Sequence, residues 1–150
     1  MRRALCPMPG RLILYPMRRA LCPMPCVYAM NRSKFRFQDL EIWREAIELG
    51  DLLFDIADFL EQRKLFRFAE QLRGAGMSMS NNIAEGSGSS SKNEFRQFLN
   101  ISKRSTFETA NVLIIARRRG LIDEDSLSDY LDRLDVLCRK ITNFQKALLK

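Results

Sequence analysis

The chain has 150 residues, of which 46% are hydrophobic and 29% charged, and it carries a formal net charge of +7 with no histidine. These values are typical of a single globular domain with room for a buried core, and they exclude a disordered chain. The lack of histidine removes the commonest general base, the Ser-His and Cys-His nucleophile pairs and every zinc site that needs an imidazole.

The positive charge is unevenly distributed along the chain. Residues 1–30 contain five arginines and no acidic residue, so the rest of the chain holds 20 basic and 18 acidic side chains. The sequence pI of 9.6 is therefore mainly a property of the N-terminal segment. No run of about 18 apolar residues occurs, so we expect no transmembrane helix and no membrane partner.

The N-terminal segment contains an internal repeat, because residues 1–9 (MRRALCPMP) recur unchanged as residues 17–25. Nine residues are fewer than the roughly 20 of a solenoid unit, so we interpret the repeat as translated duplicated DNA upstream of a natural start at Met30. A secretory signal is the alternative, but prolines interrupt the short apolar run that follows the first arginines. Residues 1–30 are thus predicted to be an unstructured leader.

Three of the four cysteines, Cys6, Cys22 and Cys26, fall in this leader. Cys22 and Cys26 have a C-x₃-C spacing, but a metal knuckle needs two further ligands, and unpaired thiols are the favoured interpretation. Cys138 is the one cysteine elsewhere in the chain, which is typical of the reducing cytoplasm. These residues predict no cofactor.

After Met30 the apolar residues repeat with a helical period almost throughout, which predicts four amphipathic helices. In the first helix the predicted core stripe is Trp43, Ala46, Ile47, Gly50, Leu53, Phe54, Ala57 and Leu60, and in the fourth it is Leu127, Leu131, Leu134, Cys138, Ile141, Gln145 and Leu148. Four helices with short connections predict an all-α, antiparallel up-down-up-down four-helix bundle within residues 31–150.

Capping signals give the helix ends. Asp39 is predicted to cap the first helix, and the break between the first two helices is placed near residues 61–64. Ser91 and Glu94 form a predicted capping box at the start of the third helix, which should end at Gly120. The fourth helix should start with the acidic residues 123–125, which suit the positive end of a helix dipole.

Polar side chains occupy positions where a packed helix would normally carry large apolar ones. Asn82 and Glu85 lie one turn apart on the second helix, and Ser105 and Glu108 lie one turn apart on the third. We favour a hydrogen-bonded network that orients the helices over a small polar binding site. Metal-assisted hydrolysis by Glu85 and Glu108 is the enzymatic alternative, and we predict that the protein is not an enzyme.

The glycine-rich segment 74–76 should allow another helix to approach closely, either within the chain or in a subunit contact. On the third helix a second stripe combines basic residues with Phe107 and Ile114. Its predicted nucleic-acid contacts are Arg96, Lys103, Arg104, Arg117 and Arg118. Two other interpretations remain open: arginines stabilise a helix C-terminus, and exposed apolar residues mark subunit interfaces.

Several segments carry a resemblance to one family, the four-helix-bundle proteins encoded in intervening sequences of bacterial 23S ribosomal RNA genes. They are FQDLEIW (37–43), Gln71-Leu72-Arg73, Ser78, NIAEG (82–86), Glu94-Phe95, and Ser105 with Glu108. Two segments differ from the family pattern. LEQRKLF replaces a proline-containing break, and Gly74-Ala75-Gly76 replaces an arginine followed by alanines.

This family is similar to the accessory protein of diversity-generating retroelements. The resemblance implies a non-enzymatic bundle that forms a barrel-like homopentamer and engages nucleic acid or a reverse transcriptase through basic surfaces. We therefore expect a homo-oligomeric accessory protein that binds RNA or DNA. A protein-binding scaffold with no nucleic-acid role is the alternative.

Overall fold

The computed structural model describes residues 35–149, which form a short 3₁₀ helix (Arg36–Asp39) and four α-helices. The α-helices are α1 (Glu41–Gln62), α2 (Phe66–Ser87), α3 (Lys92–Arg118) and α4 (Glu124–Ala147). They form the predicted up-down bundle, in which α1 and α3 each pack against α2 and α4 but not against each other. The repeat, the three leader cysteines and Met30 lie outside the described residues.

The turn between α1 and α2 lies where the sequence predicts a break, but it contains no glycine or proline. Arg63 ends α1 and Lys64 adopts a left-handed conformation with φ of 62°. The backbone amides of Lys64 and Leu65 donate to the carbonyls of Glu61 and Leu60, at 2.8 and 3.0 Å. These two bonds are those of a Schellman motif, which satisfies the last carbonyls of a helix.

The ends of α3 follow the predicted signals with one difference. Ser91 Oγ accepts from the Glu94 amide at 3.1 Å, but the Glu94 carboxylate accepts from the amide of Ser90 at 3.3 Å, and not from that of Ser91. The second bond of the capping box, to the Glu94 carboxylate, therefore comes from the residue before the N-cap. At the other end Gly120, with φ of 69°, follows the C-cap residue Arg119 and completes a second Schellman motif.

The predicted N-cap of α1 is wrong, because α1 begins at Glu41 with Leu40 in the cap position and no side-chain cap bond. Asp39 instead ends the 3₁₀ helix. That helix is closed by Gln38, whose side chain accepts from the Phe35 amide at 3.0 Å. It is anchored by Phe37, whose ring lies 4.9 Å from that of Trp43. The helical turn before α1 thus removes Asp39 from the capping position.

Five of the eight residues predicted for the core stripe of α1 are buried, but the stripe is rotated from the predicted one. Ile42, Leu49 and Ile56 are buried, whereas Trp43 and Phe54 are only half-buried and Ile47 is 36% exposed. The predicted stripe has apolar residues on both of its sides. The position at which α4 packs against α1 decides which of these two sides is buried. Lys140 of α4 binds Glu41 and Glu45, which share the flank of Ile42 and Leu49.

The core stripe of α4 shows a similar shift. Tyr130 and Leu137 are buried, and Leu131, Cys138, Gln145 and Leu148 are only half-buried. The polar group of Gln145 is hydrogen-bonded, because its side-chain amide donates to the backbone carbonyl of Arg96 at 3.0 Å. Gln145 therefore lies at the contact between α4 and α3.

The close approach predicted for the glycine-rich segment is confirmed at Gly76. A β-carbon at Gly76 would lie 3.2 Å from Leu53 Cδ1 and 3.7 Å from the α-carbon of Gly50. Gly74 has no such role in the described chain, because nothing outside its own helix lies within 4 Å of a β-carbon built there. None of the described helices combines the length and the apolar character needed to cross a membrane.

Candidate nucleic-acid interface

The five basic residues predicted to contact nucleic acid all lie on α3, and the packing of α3 decides which way they face. Ser102 Oγ donates to the Met79 carbonyl of α2 at 2.8 Å. On the other side, the Phe95 ring meets Phe144 of α4 edge-on, with 5.5 Å between centroids. The side of α3 opposite these contacts is directed away from the bundle.

We define the α3 face as the basic and apolar side chains on that outer side, namely Arg96, Lys103, Arg104, Phe107, Ile114 and Arg118. At 100° per residue all of them except Arg104 fall within a strip about 60° wide, and Arg104 lies on its outer edge. From residue 96 to residue 118 the strip is about 33 Å long, which equals roughly one turn of duplex DNA.

Most of the positive charge on the α3 face is not neutralised by the bundle. Within residues 35–149, Arg96, Lys103, Arg104 and Arg118 form no ion pair, whereas Arg117 binds Glu124 with an Nε to Oε2 distance of 2.8 Å. This ion pair directs the Arg117 side chain toward the start of α4, and the Glu124 carboxylate partly compensates its positive charge. The structure therefore groups four of the five predicted residues and separates Arg117 from them.

Arg96 differs from the other three because it is half-buried beside α4. Its Nε atom is buried and has no hydrogen-bond partner in the described chain. A buried guanidinium N–H without an acceptor is unfavourable. Lys103 is also half-buried, whereas Arg104 and Arg118 are exposed.

Large apolar side chains interrupt the basic residues on α3. Phe107 is 64% exposed and Ile114 is 42% exposed. Ile101 and Ile115 are also exposed, on the side of α3 nearer to α2. A phenylalanine between cations can stack against a nucleic-acid base, and the same group can pack against a protein. The α3 face can chemically serve either kind of partner.

The four residues predicted to form a polar motif divide into two pairs. Ser78 joins Asn82 to Ser105: its Oγ lies 2.8 Å from Ser105 Oγ, and Asn82 Nδ2 donates to it at 3.1 Å. Glu85 and Glu108 are exposed and form no ion pair within the described residues. Asn82 and Ser105 thus share a hydrogen-bonded network through Ser78, and the two carboxylates lie outside it.

Four further hydroxyl residues are buried on α2 and α3, with bonds inside their own helices. Thr106 and Thr109 are buried on α3, where their hydroxyls donate to backbone carbonyls of the same helix at 2.6 and 2.9 Å. Ser80 and Ser87 of α2 are buried in the same way, with bonds of 3.2 and 2.7 Å. These small hydroxyl residues satisfy themselves locally, which allows α2 and α3 to pack closely. Their recurrence at helical spacing was the available signal.

A family model decides what kind of protein this is. The model of the 23S rRNA-intervening sequence protein family matches residues 38–143, which extend from the end of the 3₁₀ helix into the last turns of α4. The chain belongs to this family. No curated protein matches the sequence.

The segments that resemble the 23S rRNA-intervening sequence proteins have structural roles in the bundle. Arg73 binds Asp58, at 2.6 Å, and Glu61, and thereby joins α2 to the end of α1. Within NIAEG, Ile83 is fully buried and Gly86 provides space for α3. Arg73, Ile83 and Gly86 of α2 therefore serve the packing of the helices in this chain.

Proposed function

We propose that this member of the 23S rRNA-intervening sequence protein family is a non-enzymatic, homo-oligomeric accessory protein that binds RNA or DNA through the α3 face. The observation that carries the proposal is the presence of four cations on one side of one helix with no acidic partner in the bundle. Exposed cations that have no internal partner release counterions when they meet phosphates, and this release supplies most of the affinity for a polyanion.

The proposed binding is not sequence-specific. The four cations are spread along about 33 Å, which suits contacts to a phosphate backbone. Phe107 is the one aromatic residue of the face, and stacking on it tolerates any base. The proposed partners are therefore RNA or DNA of varied sequence, together with another copy of the chain. A reverse transcriptase or another protein is a further proposed partner.

The test compares two variants that lose the same amount of charge. Lys103→Gln with Arg104→Gln removes two of the four positive charges of the α3 face, and Arg133→Gln with Arg139→Gln removes two arginines on α4 that already bind acidic residues. Affinity for structured RNA and duplex DNA is measured at several salt concentrations. We expect the α3 variant to bind more weakly and to lose about 0.7–0.9 of log–log salt slope per phosphate contact removed, and the α4 variant to resemble the wild type.

Both variants are also prepared in a chain that begins at Met30. That chain retains all four helices and lacks the five arginines of residues 1–30, whose charge would add to any binding of polyanions. If the shortened wild-type chain shows no salt-sensitive binding, or if both variants bind alike, the α3 face is not a nucleic-acid interface. The protein-binding scaffold then becomes the better account, because Phe107 and Ile114 still need a partner.

The non-enzymatic part of the proposal rests on the absence of histidine and on the positions of Glu85 and Glu108, which are exposed and unconnected to the buried network. A stoichiometric divalent metal in the purified protein that is lost on Glu85→Gln would overturn it. The oligomeric part, a pentamer by family resemblance, is tested by light scattering. A mass of 17.5 kDa at micromolar concentration, that of one chain, would reject it.

A further inference from the structure

The helix diagonally opposite α3 carries the opposite charge. α1 contains seven acidic residues and one basic residue: Glu41, Glu45, Glu48, Asp51, Asp55, Asp58, Glu61 and Arg44. α3 contains six basic residues and two acidic ones: Lys92, Arg96, Lys103, Arg104, Arg117, Arg118, Glu94 and Glu108. Because α1 and α3 do not contact each other, these charges cannot neutralise one another within one bundle.

We define the α1 face as Glu48, Asp51, Asp55 and Asp58, which are exposed and spaced alternately by three and four residues. This spacing places them in one row along the outside of the helix. Asp58 binds Arg73, whereas Glu48 and Asp51 form no ion pair within the described residues. The N-terminal half of the α1 face therefore presents uncompensated negative charge.

The two faces also lie at matching heights along the bundle. Gly76 of α2 faces Gly50 of α1, and Met79 of α2 binds Ser102 of α3. Three residues of helix separate these two contacts on α2, a rise of about 4.5 Å. Since α1 and α3 run in the same direction, residue 102 lies near the height of residue 47, and Lys103 and Arg104 lie near the height of Glu48 and Asp51.

We propose that the α3 face of one subunit docks on the α1 face of the next subunit, and that nucleic acid reaches an α3 face only where no neighbouring subunit covers it. A rotation about an axis parallel to the helices leaves all heights unchanged. It therefore brings Lys103 and Arg104 of one copy to Glu48 and Asp51 of its neighbour. Such a head-to-tail contact at constant height builds a closed ring.

The apolar residues of the α3 face give the contact its area. Phe107 and Ile114 lie between the cations, and Ile47 is exposed beside the α1 face. Charge complementarity selects the partner and its orientation, and burial of the apolar side chains supplies affinity. The acidic row of α1 carries the same sign of charge as a phosphate backbone. The competition with nucleic acid rests on the proposed function, but the subunit contact does not.

Charge reversal on the full chain tests the subunit contact and the competition between assembly and nucleic acid. Glu48→Lys with Asp51→Lys should shift the assembly toward monomers in light scattering, with a rise of roughly tenfold or more in its dissociation constant. RNA binding by α3 should be retained or become tighter. Lys103→Glu with Arg104→Glu should weaken both. Glu70→Lys with Asp132→Lys, an equal charge change on the outer sides of α2 and α4, should leave the assembly unchanged.

The combination of the α1 and α3 reversals separates the two proposals. The four-residue variant regains complementary faces, so it should assemble again while RNA binding stays weak. Circular dichroism on each variant reports whether the helices are intact. An assembly that is insensitive to the α1 reversal, or a four-residue variant that stays monomeric with its helices intact, overturns the subunit contact. Unchanged RNA binding in an α3 variant that no longer assembles, measured in the chain that begins at Met30, overturns the proposed function and leaves the contact standing.

Discussion

Gly86 of α2 lies directly beneath Phe95 of α3. A β-carbon built at position 86 would be 2.5 Å from Phe95 Cδ2, 2.8 Å from Phe98 Cβ and 2.9 Å from Phe95 Cε2. The loop after α2 reverses the chain within five residues, so the first turn of α3 has to cross this point. The glycine that ends the NIAEG segment is therefore required by the way α3 folds back on α2.

Gly86→Ala should destabilise the bundle. The added methyl group has to displace two phenylalanine side chains at the start of α3, and such overpacking typically costs about 1–3 kcal/mol. The gain in helix propensity, about 1 kcal/mol, offsets only part of this cost. Urea denaturation followed by circular dichroism measures the change. A variant as stable as the wild type would show that α3 does not press on this position.

Gly74→Ala is the matched control on the same helix. Gly74 is exposed, and nothing outside its own helix surrounds a β-carbon placed there. The same substitution should therefore stabilise the protein by about 1 kcal/mol, because alanine restricts the unfolded chain and favours the helix. Loss of stability at Gly74 would mean that a second copy of the chain packs on this surface.

Sequence patterns predicted the fold where each signal depends on a few neighbouring residues. The cap of α3 at Ser91, its end at Gly120 and the start of α4 at Asp123 all follow from local hydrogen bonds. Asp39 failed as a cap because the preceding residues form their own helical turn. The rotation of the α1 core could not be predicted, since it depends on where α4 packs.

The sequence predicts which residues make up the candidate interface, but not which of them form ion pairs. The sequence places the basic residues on one helix, but which of them are neutralised depends on tertiary contacts. Arg117 meets Glu124 because the turn after α3 brings the start of α4 beside it. The buried Nε of Arg96 likewise depends on the packing of α4. The opposite charges of α1 and α3 are visible in the sequence, whereas their matching heights need the structure.

Lys64→Gly should stabilise the protein. Lys64 has φ of 62°, and a residue with a β-carbon in this region costs roughly 1–2 kcal/mol. Glycine removes this strain but loses about 0.5–1 kcal/mol to the greater entropy of the unfolded chain, so a net gain of roughly 0.5–1 kcal/mol is expected. Lys64→Ala keeps the strain and serves as the control in thermal unfolding. Equal melting temperatures for the two variants would contradict the conformation at Lys64.

Asp123 should make the stability depend on acid pH. Its carboxylate accepts from the Ser126 amide at 2.7 Å and from the Ser126 hydroxyl at 2.9 Å, and the amide bond is the main cause that lowers its pKa below the usual 3.8. Because the folded pKa is the lower one, this stabilisation is present above pH 3.8 and is lost as the pH falls through the folded value.

Two variants isolate this effect in urea denaturation at several pH values. Asp123→Ala should cost about 1 kcal/mol at neutral pH through loss of the cap. Asp123→Asn keeps a capping oxygen that does not titrate, so its difference from the wild type should shrink as the pH falls below 3.8. A difference that is constant from neutral to acid pH would show that the carboxylate is not ionised at the cap.

The Tyr130 phenol should ionise at a higher pH than an ordinary tyrosine. It is 5% exposed, and its burial, followed by the nearby charge of Asp129, raises its pKa from 10.0 to about 12. The unfolded chain loses this proton first, so the free energy of unfolding should fall as the pH rises from about 10 to about 12. Absorbance of the phenolate band, recorded together with circular dichroism, follows the ionisation and the helices in the same sample. The chain has three tyrosines, and Tyr130→Phe should remove only the late step. If all three ionise near pH 10 while the helices remain intact, the phenol of Tyr130 is not in the core between α4 and its neighbours.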